Sequence, residues 1–179
     1  MAKIILLNGP PAAGKTTVSK LFIEKQEPAE WACISQDDIR QLIKSGYRSA
    51  DNTRDTWEES TERQWGVGIE NCIDLAINFQ RSGISSVVDF YATEAEFKHW
   101  RELLDGVDFV HVVLLPGEEV DLARNTARKF PAHLTNKKII ESYEEFRTWA
   151  SSDEVILIDN SNQTSEQTVD RLAGLAKVH

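Results

Sequence analysis

The sequence predicts a three-layer α/β fold with a mostly parallel sheet. Three observations carry this: five short apolar runs, longer segments of helical period between them, and a glycine-bounded loop directly after the first run. The runs are Ile4-Ile5-Leu6-Leu7, Trp31-Ala32-Cys33-Ile34, Ile84 to Asp89, Phe109 to Leu115 and Val155 to Ile158. Each is brief and bounded by turn or charged residues, and none alternates as a half-exposed sheet does, so they read as buried parallel strands. A first helix starts at Lys15, with Val18, Leu21 and Phe22 apolar. Between the second and third strands, Trp65, Gly68, Ile69, Cys72, Ile73, Ala76 and Ile77 fall on one stripe at spacings of three and four, and Trp57 and Thr61 extend it backwards. Another helix begins near Glu118 and should be interrupted at Pro131. The last shows Val169, Leu172, Ala173 and Ala176 on one face. Each crossover is long enough for a right-handed βαβ unit. The polar stretch Ser45 to Asp55 reads as a loop between two helices.

At 179 residues the chain has the length of one domain, and residues 1–179 are expected to form one. Apolar residues make up 41% and charged residues 27%, which excludes a disordered or collagen-like chain. The net charge of -9 argues against a general binder of nucleic-acid phosphate. No stretch reaches transmembrane length, and the N-terminal apolar run is too short for a signal peptide, so a cytoplasmic protein is expected. Cys33 and Cys72 show neither CxxC nor Cys/His spacing and read as reduced thiols packed as small hydrophobes.

Directly after the first strand comes Gly9-Pro10-Pro11-Ala12-Ala13-Gly14-Lys15-Thr16-Thr17, which fits G-x-x-x-x-G-K-[ST] at each fixed position. In such a loop, backbone N–H groups and the following helix N-terminus converge on the β- and γ-phosphates of a nucleotide. Lys15 adds a cation, and the Thr16 hydroxyl is a ligand for Mg²⁺. Pro10 and Pro11 carry no N–H, so the donors expected are those from Ala12 onward, with Gly9, Ala12, Ala13, Gly14, Lys15, Thr16 and Thr17 forming the ATP site. An N-K-x-D guanine reader is missing: Asn136-Lys137-Lys138-Ile139 lacks the aspartate.

Past the fourth strand, Arg124 and Arg128 stand four apart, a spacing that on a helix puts both on one face to clamp one phosphoryl group. The competing reading is a solvated basic face paired with Glu118 or Asp121. After the second strand comes Ser35-Gln36-Asp37-Asp38-Ile39-Arg40. Strand C-terminal ends face the ligand crevice of an open α/β sheet, so one carboxylate of the pair can take a proton from an attacking hydroxyl while Arg40 steadies phosphate or substrate charge. Helix capping by Ser35 or Asp37 is the plainer reading, and Asp38 capping while Asp37 reacts combines the two. Asp89, at the end of hydrophobic strand three, orients Mg²⁺ or buttresses an arginine such as Arg40.

Gly9 to Thr17, Ser35 to Arg40, the strand ending at Asp89 and Arg124-Asn125-Thr126-Ala127-Arg128 together resemble the P-loop kinases, which group polynucleotide 5′-kinase with gluconate-kinase-like and antibiotic phosphotransferase enzymes. The resemblance runs from the first strand through Ile158-Asp159-Asn160-Ser161 and the last helix. It implies a five-stranded sheet of order 2-3-1-4-5, an acceptor-side helical region at about 38–65, and a helical lid at about 121–138 whose arginines close on the ATP phosphates. It also implies Asp37 as the base, Arg40 as a partner of the acceptor, and the loop after strand five near adenine. Lys15, Asp37, Arg124 and Arg128 are thus the catalytic expectation, Asp37 and Arg40 the substrate-binding one, and Thr16 and Asp89 the metal-binding one, with ATP and Mg²⁺ as cofactors.

Where a polynucleotide would need a basic channel, residues 51–62 carry Asp51, Asp55, Glu58, Glu59 and Glu62 against one arginine. The expected acceptor is therefore a small hydroxylated molecule; a 5′-hydroxyl polynucleotide kinase and an ATP-binding regulatory module without phosphotransfer are the alternatives. Trp57 and Trp65 read as core anchors or, alternatively, as stacking platforms for an aromatic acceptor. The four histidines have no partner spacing for a metal or triad; His111 reads as structural, and His133 lies beside the lid.

Overall fold

The computed structural model describes residues 2–49, 58–128, 134–151 and 153–178, with the side chains of 150, 151 and 176–178 outside the description. Its elements run β1 (Ile4–Asn8), α1 (Lys15–Glu24), β2 (Trp31–Ser35), α2 (Gln36–Arg40), α3 (Glu59–Arg81), β3 (Ser85–Asp89), α4 (Glu94–Trp100), β4 (Phe109–Leu114), α5 (Glu118–Ala127), α6 (Asn136–Arg147), β5 (Ile156–Ile158) and α7 (Ser165–Val178). All strand pairings are parallel, and the order is β2-β3-β1-β4-β5. Both the three-layer class and the expected order therefore hold.

Alternate residues of the central strands feed two cores. Ile4 and Leu6 of β1 pack with Trp65, Ile69, Cys72, Ile73 and Ala76 of α3 and with Phe97, Phe146 and Trp149. Ile5 and Leu7 pack on the other face with Val18 and Phe22 of α1 and Val169 and Leu172 of α7. Being buried on both faces is why β1 reads as an unbroken apolar run. β2 is the edge strand that the expected order implies, but it departs from the expected buried run: only Ile34 is fully buried, and Cys33 is exposed, not packed as a core hydrophobe. Cys72 is buried, and burial raises its thiol to a pKa of about 12. The α4 start is fixed by a capping box: Thr93 Oγ1 accepts from Glu96 N at 3.3 Å, and Glu96 Oε2 accepts from Thr93 N at 2.7 Å.

Two further expectations meet the structure. α5 begins at Glu118 as expected but ends at Ala127, with Arg128 extended at φ -66 and ψ 131. Arg124 and Arg128 therefore do not share a helix face. Trp57, Asp51, Asp55, Lys129, Pro131 and His133 lie outside the described residues. Among the described residues, no helix is long and apolar enough to cross a membrane.

The register aligns the strand ends that build the site. Asp89 stands opposite Leu7 on one side and Ser35 on the other, and Asn8 stands opposite Val113. A cavity of about 790 Å³ opens along this C-terminal edge, as expected for an open parallel sheet.

Candidate active site

The chain leaves β1 at Asn8 and turns at once into the loop of residues 9–14. Gly9 is required there: at φ 148, a Cβ would stand 2.3 Å from the carbonyl oxygen of Leu114. Ala12 and Gly14 follow with positive φ, 70 and 97, and Gly14 caps α1 without a side chain. Such alternation turns successive amides toward one concavity. Ala13 departs from expectation, since its N–H is committed to the Pro10 carbonyl at 3.3 Å. Its side chain, with Gly9, lies beneath the loop, while Ala12, Gly14, Lys15, Thr16 and Thr17 line the cavity. The amides at the start of α1 have no intrahelical acceptor, the arrangement that suits a helix N-terminus to an anion.

Lys15 folds back over the loop, its Nζ donating to the carbonyls of Gly9 at 2.8 Å and Pro10 at 3.0 Å. Burial lowers its pKa, and Asp89, Asp37 and Asp121 pull it back up. Burial likewise raises the Asp89 carboxyl, against the Lys15 charge and a hydrogen bond from Thr16. That bond, Thr16 Oγ1 to Asp89 Oδ2, is 2.6 Å long. Two hard oxygen donors beside the phosphate loop fit Mg²⁺, which takes few protein ligands and completes its shell with phosphate and water. Asp89 thus pairs with Thr16 and does not buttress Arg40. Among the described residues no cluster of three or more His, Cys, Asp or Glu forms a closed metal cage.

Arg124 and Arg128 both line the cavity, by different routes. Arg124 is anchored to backbone: Nη2 donates to Asn160 O at 2.9 Å and Nη1 to Ala13 O at 3.3 Å. Asn160 is itself buried, and its Nδ2 donates to the same Ala13 carbonyl at 3.0 Å. This places the loop after β5 against the cavity, where Asn160, Gln163, Ser165 and Thr168 form part of the wall. Asp121, one turn before Arg124, is fully buried, and neither carboxylate oxygen has a partner among the described residues. Burial raises its pKa to about 7, although Lys15, Arg124 and Arg128 all oppose the shift.

On the other side of β1, Ser35 caps α2, its hydroxyl accepting from Asp38 N at 3.4 Å. Neither aspartate is therefore the cap. Asp37 lines the cavity and leaves 74% of its side chain exposed. Arg40 is placed behind the wall. Its guanidinium lies 4.8 Å from the Trp65 ring centroid and 5.5 Å from that of Tyr47, and Nη2 donates to Arg48 O at 2.8 Å. It reaches the cavity only through Asp37, whose Oδ1 is 3.9 Å from Nη1. Trp65 is both core and wall: 7% exposed in the α3 stripe, it lines the cavity with Phe90 and Tyr91. His111 is buried among Phe97, Phe90 and Trp149, and burial lowers its pKa to about 3, so it is a neutral structural residue.

Residues 4–147 match the AAA domain family. The chain belongs to that family. No curated protein matches it. The tunicamycin resistance protein of Deinococcus radiodurans shares the fold at a TM-score of 0.70 and 17% identity, covering 100% of this chain and 98% of that one. A gluconokinase from Sinorhizobium meliloti 1021 has a TM-score of 0.64 at 18% identity, over 99% of this chain and 93% of that one. A chain of the Pnkp1/Rnl/Hen1 RNA repair complex has a TM-score of 0.67 at 16% identity over 92% of this chain, but only half of its own length is covered. The P-loop kinase resemblance drawn from the motifs thus holds in fold.

Four residues that the motifs did not single out take part in the wall or its support. Asn8 is buried at the strand end, where Oδ1 accepts from Gly9 N at 2.9 Å and Ala92 N at 3.1 Å and Nδ2 donates to Ala92 O at 2.9 Å. It ties the phosphate loop to the segment after β3. Asn160, Gln36 and Tyr91 are the others. Their shared signal is position: each lies within two residues of a strand's C-terminal end.

Proposed function

We propose that this protein is an ATP-dependent phosphotransferase that moves the γ-phosphoryl group to a hydroxyl of a small molecule. One observation carries the reading: a single cavity brings the phosphate loop, two arginines and the exposed carboxylate of Asp37 together beside an aromatic wall. A loop of this kind alone fits any nucleotide-binding protein; a proton acceptor across from it is what phosphotransfer to an alcohol adds.

The amides of Ala12, Gly14, Lys15, Thr16 and Thr17 bind the phosphates, and Lys15 contributes its charge. Thr16 and Asp89 would hold Mg²⁺, which supplies charge neutralisation at the β- and γ-phosphates when bound. Asp37 takes the proton of the acceptor hydroxyl as its oxygen bonds to the γ-phosphorus and the bond to the β-γ bridging oxygen breaks, releasing ADP. Arg124 and Arg128 stabilise the negative charge on the equatorial oxygens in the transition state. Residues 159–163 would approach adenine, a reading supported by Asn160 and Gln163 lining the cavity.

The test is an ADP-release screen over hydroxylated metabolites, nucleosides, antibiotics and a 5′-hydroxyl oligonucleotide. Acceptor-dependent release is expected with a small alcohol. Asp37→Asn should then lower turnover by about 10² to 10⁴-fold, while ATP affinity by calorimetry stays unchanged. Retained turnover would remove Asp37 from the mechanism. ATP binding with no acceptor-dependent release would point instead to a regulatory module.

A further inference from the structure

We propose that the outer face of α3 is an interface between two copies of this chain, paired antiparallel about a two-fold axis that sets Asp74 of each copy against Arg81 of the other. The face shares no lining residue with the cavity at the strand ends, so it is independent of the kinase reading.

Six large hydrophobic side chains are exposed among the described residues, and three of them, Leu42, Leu75 and Leu103, line one cavity of about 710 Å³. Leu42 is the most exposed, at 68%. The floor of this cavity is the solvent side of α3, where Asn71, Asp74, Asn78 and Arg81 recur at spacings of three and four with Leu75 and Ile77 at the edges. A Cβ at Gly68 would point at Arg40 of α2 and one at Gly66 at Trp100 of α4, and positions two apart on a helix face nearly opposite sides. The stripe is thus rimmed by Ile39 and Leu42 on one side and by Leu103, just past α4, on the other. Single apolar side chains on a surface are ordinary; a contiguous patch rimming one helix marks a contact with another protein.

Charge identifies the occupant. Among the described residues, Asp74 and Arg81 are the only charged side chains lining this face, both are exposed, and neither is in an ion pair. They stand two turns apart on one stripe, about 10 Å along the helix axis. A helix that carries an acid and a base in this way is complementary to itself run backwards. An axis midway between them, between residues 77 and 78, sets both opposite charges face to face at once. The same axis lays the Leu42 rim of one copy beside that of the other, and likewise the Leu103 rim. A partner helix of uniform charge would satisfy one of the two residues and repel the other. The chain as a whole carries -9, so most of its surface repels a second copy, whereas the charges of this face cancel. Exposed ion pairs contribute little by themselves; here the apolar rims supply the affinity and the charges fix the register.

Sedimentation velocity of the full chain, over about a hundredfold range of concentration, should show a monomer–dimer equilibrium that shifts by mass action. Asp74→Arg and Arg81→Asp should each raise the dimer Kd about tenfold or more, because either one places two like-charge contacts in the pair. Mixed one to one, the two variants should dimerise again, since each supplies the charge that the other now lacks. The chain carrying both exchanges should dimerise alone. Leu42→Ser should weaken the dimer to a similar extent, whereas Arg63→Glu, on the same stripe but outside the cavity, should leave it as it was. All four side chains are exposed, so melting temperatures close to that of the parent chain should accompany every variant and exclude a folding defect. A chain that stays monomeric at every concentration overturns the proposal and leaves the face to a different protein. A dimer that both single charge variants retain overturns it too, as does a mixture of the two that stays monomeric, or a dimer lost with Arg63→Glu instead. ADP release keeps the two readings apart: a monomer with acceptor-dependent release removes this inference alone, and a dimer without release removes the kinase alone.

Discussion

On the wall built from residues 9–14, α1 and α5, the cations are tied to backbone: Lys15 to the Gly9 and Pro10 carbonyls, Arg124 to those of Ala13 and Asn160. On the wall built from α2, α3 and residues 90–91, ties between side chains enter as well, Arg40 on Trp65 and Tyr91 to Glu145, beside the backbone bonds of Gln36 with Tyr91 N and Arg40 with Arg48 O. Backbone ties depend on a few residue types at fixed spacing, because only certain φ values and missing side chains allow them. Side-chain ties can be exchanged for others of similar shape. The first wall therefore depends on a short fixed pattern of residues, and the second on side chains whose shape matters more than their identity.

The largest effect is expected on the first wall. Lys15→Met should weaken ATP by about a hundredfold, the loss of a buried charge-assisted contact. Acceptor binding and folding should be spared, since burial already disfavours the Lys15 charge. Calorimetry with ATP and thermal melting check both halves. A loss of acceptor binding as large as the loss of ATP binding would show that the walls are not separable.

Asp121 sharpens the comparison from inside the first wall. Its folded pKa of about 7 lies above the unfolded value of 3.8. The folded state therefore holds a proton that the unfolded chain releases, and the stability this group allows is full below about pH 4 and lost as pH rises toward about 7. Asp121→Asn removes that dependence. Melting temperature should rise by several degrees at pH 8 and by less at pH 5; an equal change at both would mean that the carboxyl titrates normally in the folded state.

How much of this was legible follows the same division. The phosphate loop could be read because glycine and lysine occur there in a short fixed pattern, and the strand order followed from the kinase family that the pattern resembles. The helix stripe Trp65 to Ala76 could be read because burial on one face imposes a 3.6-residue period. The end of α5 could not. Nothing in Asn125-Thr126-Ala127-Arg128 breaks a helix locally. In the structure Asn125 is turned inward instead, its amide exchanging bonds with the Leu134 backbone at 2.8 and 3.0 Å. A contact between residues nine apart is tertiary, and the spacing of Arg124 and Arg128 held no trace of it. Arg40 misled for a related reason. Its D-D-x-R setting suggests a charge facing the acceptor, but the aromatic rings that draw it away come from Tyr47 and Trp65. Gln36 was passed over because glutamine carries no reactive group, and its bond from Tyr91 N joins segments 55 residues apart, which no local pattern announces.

The smallest expected effect tests whether the second wall is rigid in its own right. Gly68 sits inside α3, where glycine is a poor helix former, and a Cβ there would stand 2.6 Å from Arg40 Cγ and 3.1 Å from Cδ. The nearest atoms belong to the stem of a buried side chain and not to a mobile tip, so α2 itself must shift. Gly68→Ala gains about 1 kcal/mol in helix propensity and loses about 1–3 kcal/mol to overpacking, a net cost of about 1 kcal/mol in chemical denaturation. The functional consequence is the sharper one. Gln36 and Asp37 ride on α2 beside Arg40, so acceptor KM should rise while the affinity for ATP, fixed by backbone on the far wall, stays as it was. If ATP affinity falls in parallel with acceptor binding, α2 and the phosphate loop move as one body, and the contrast between the walls is one of bonding partners only.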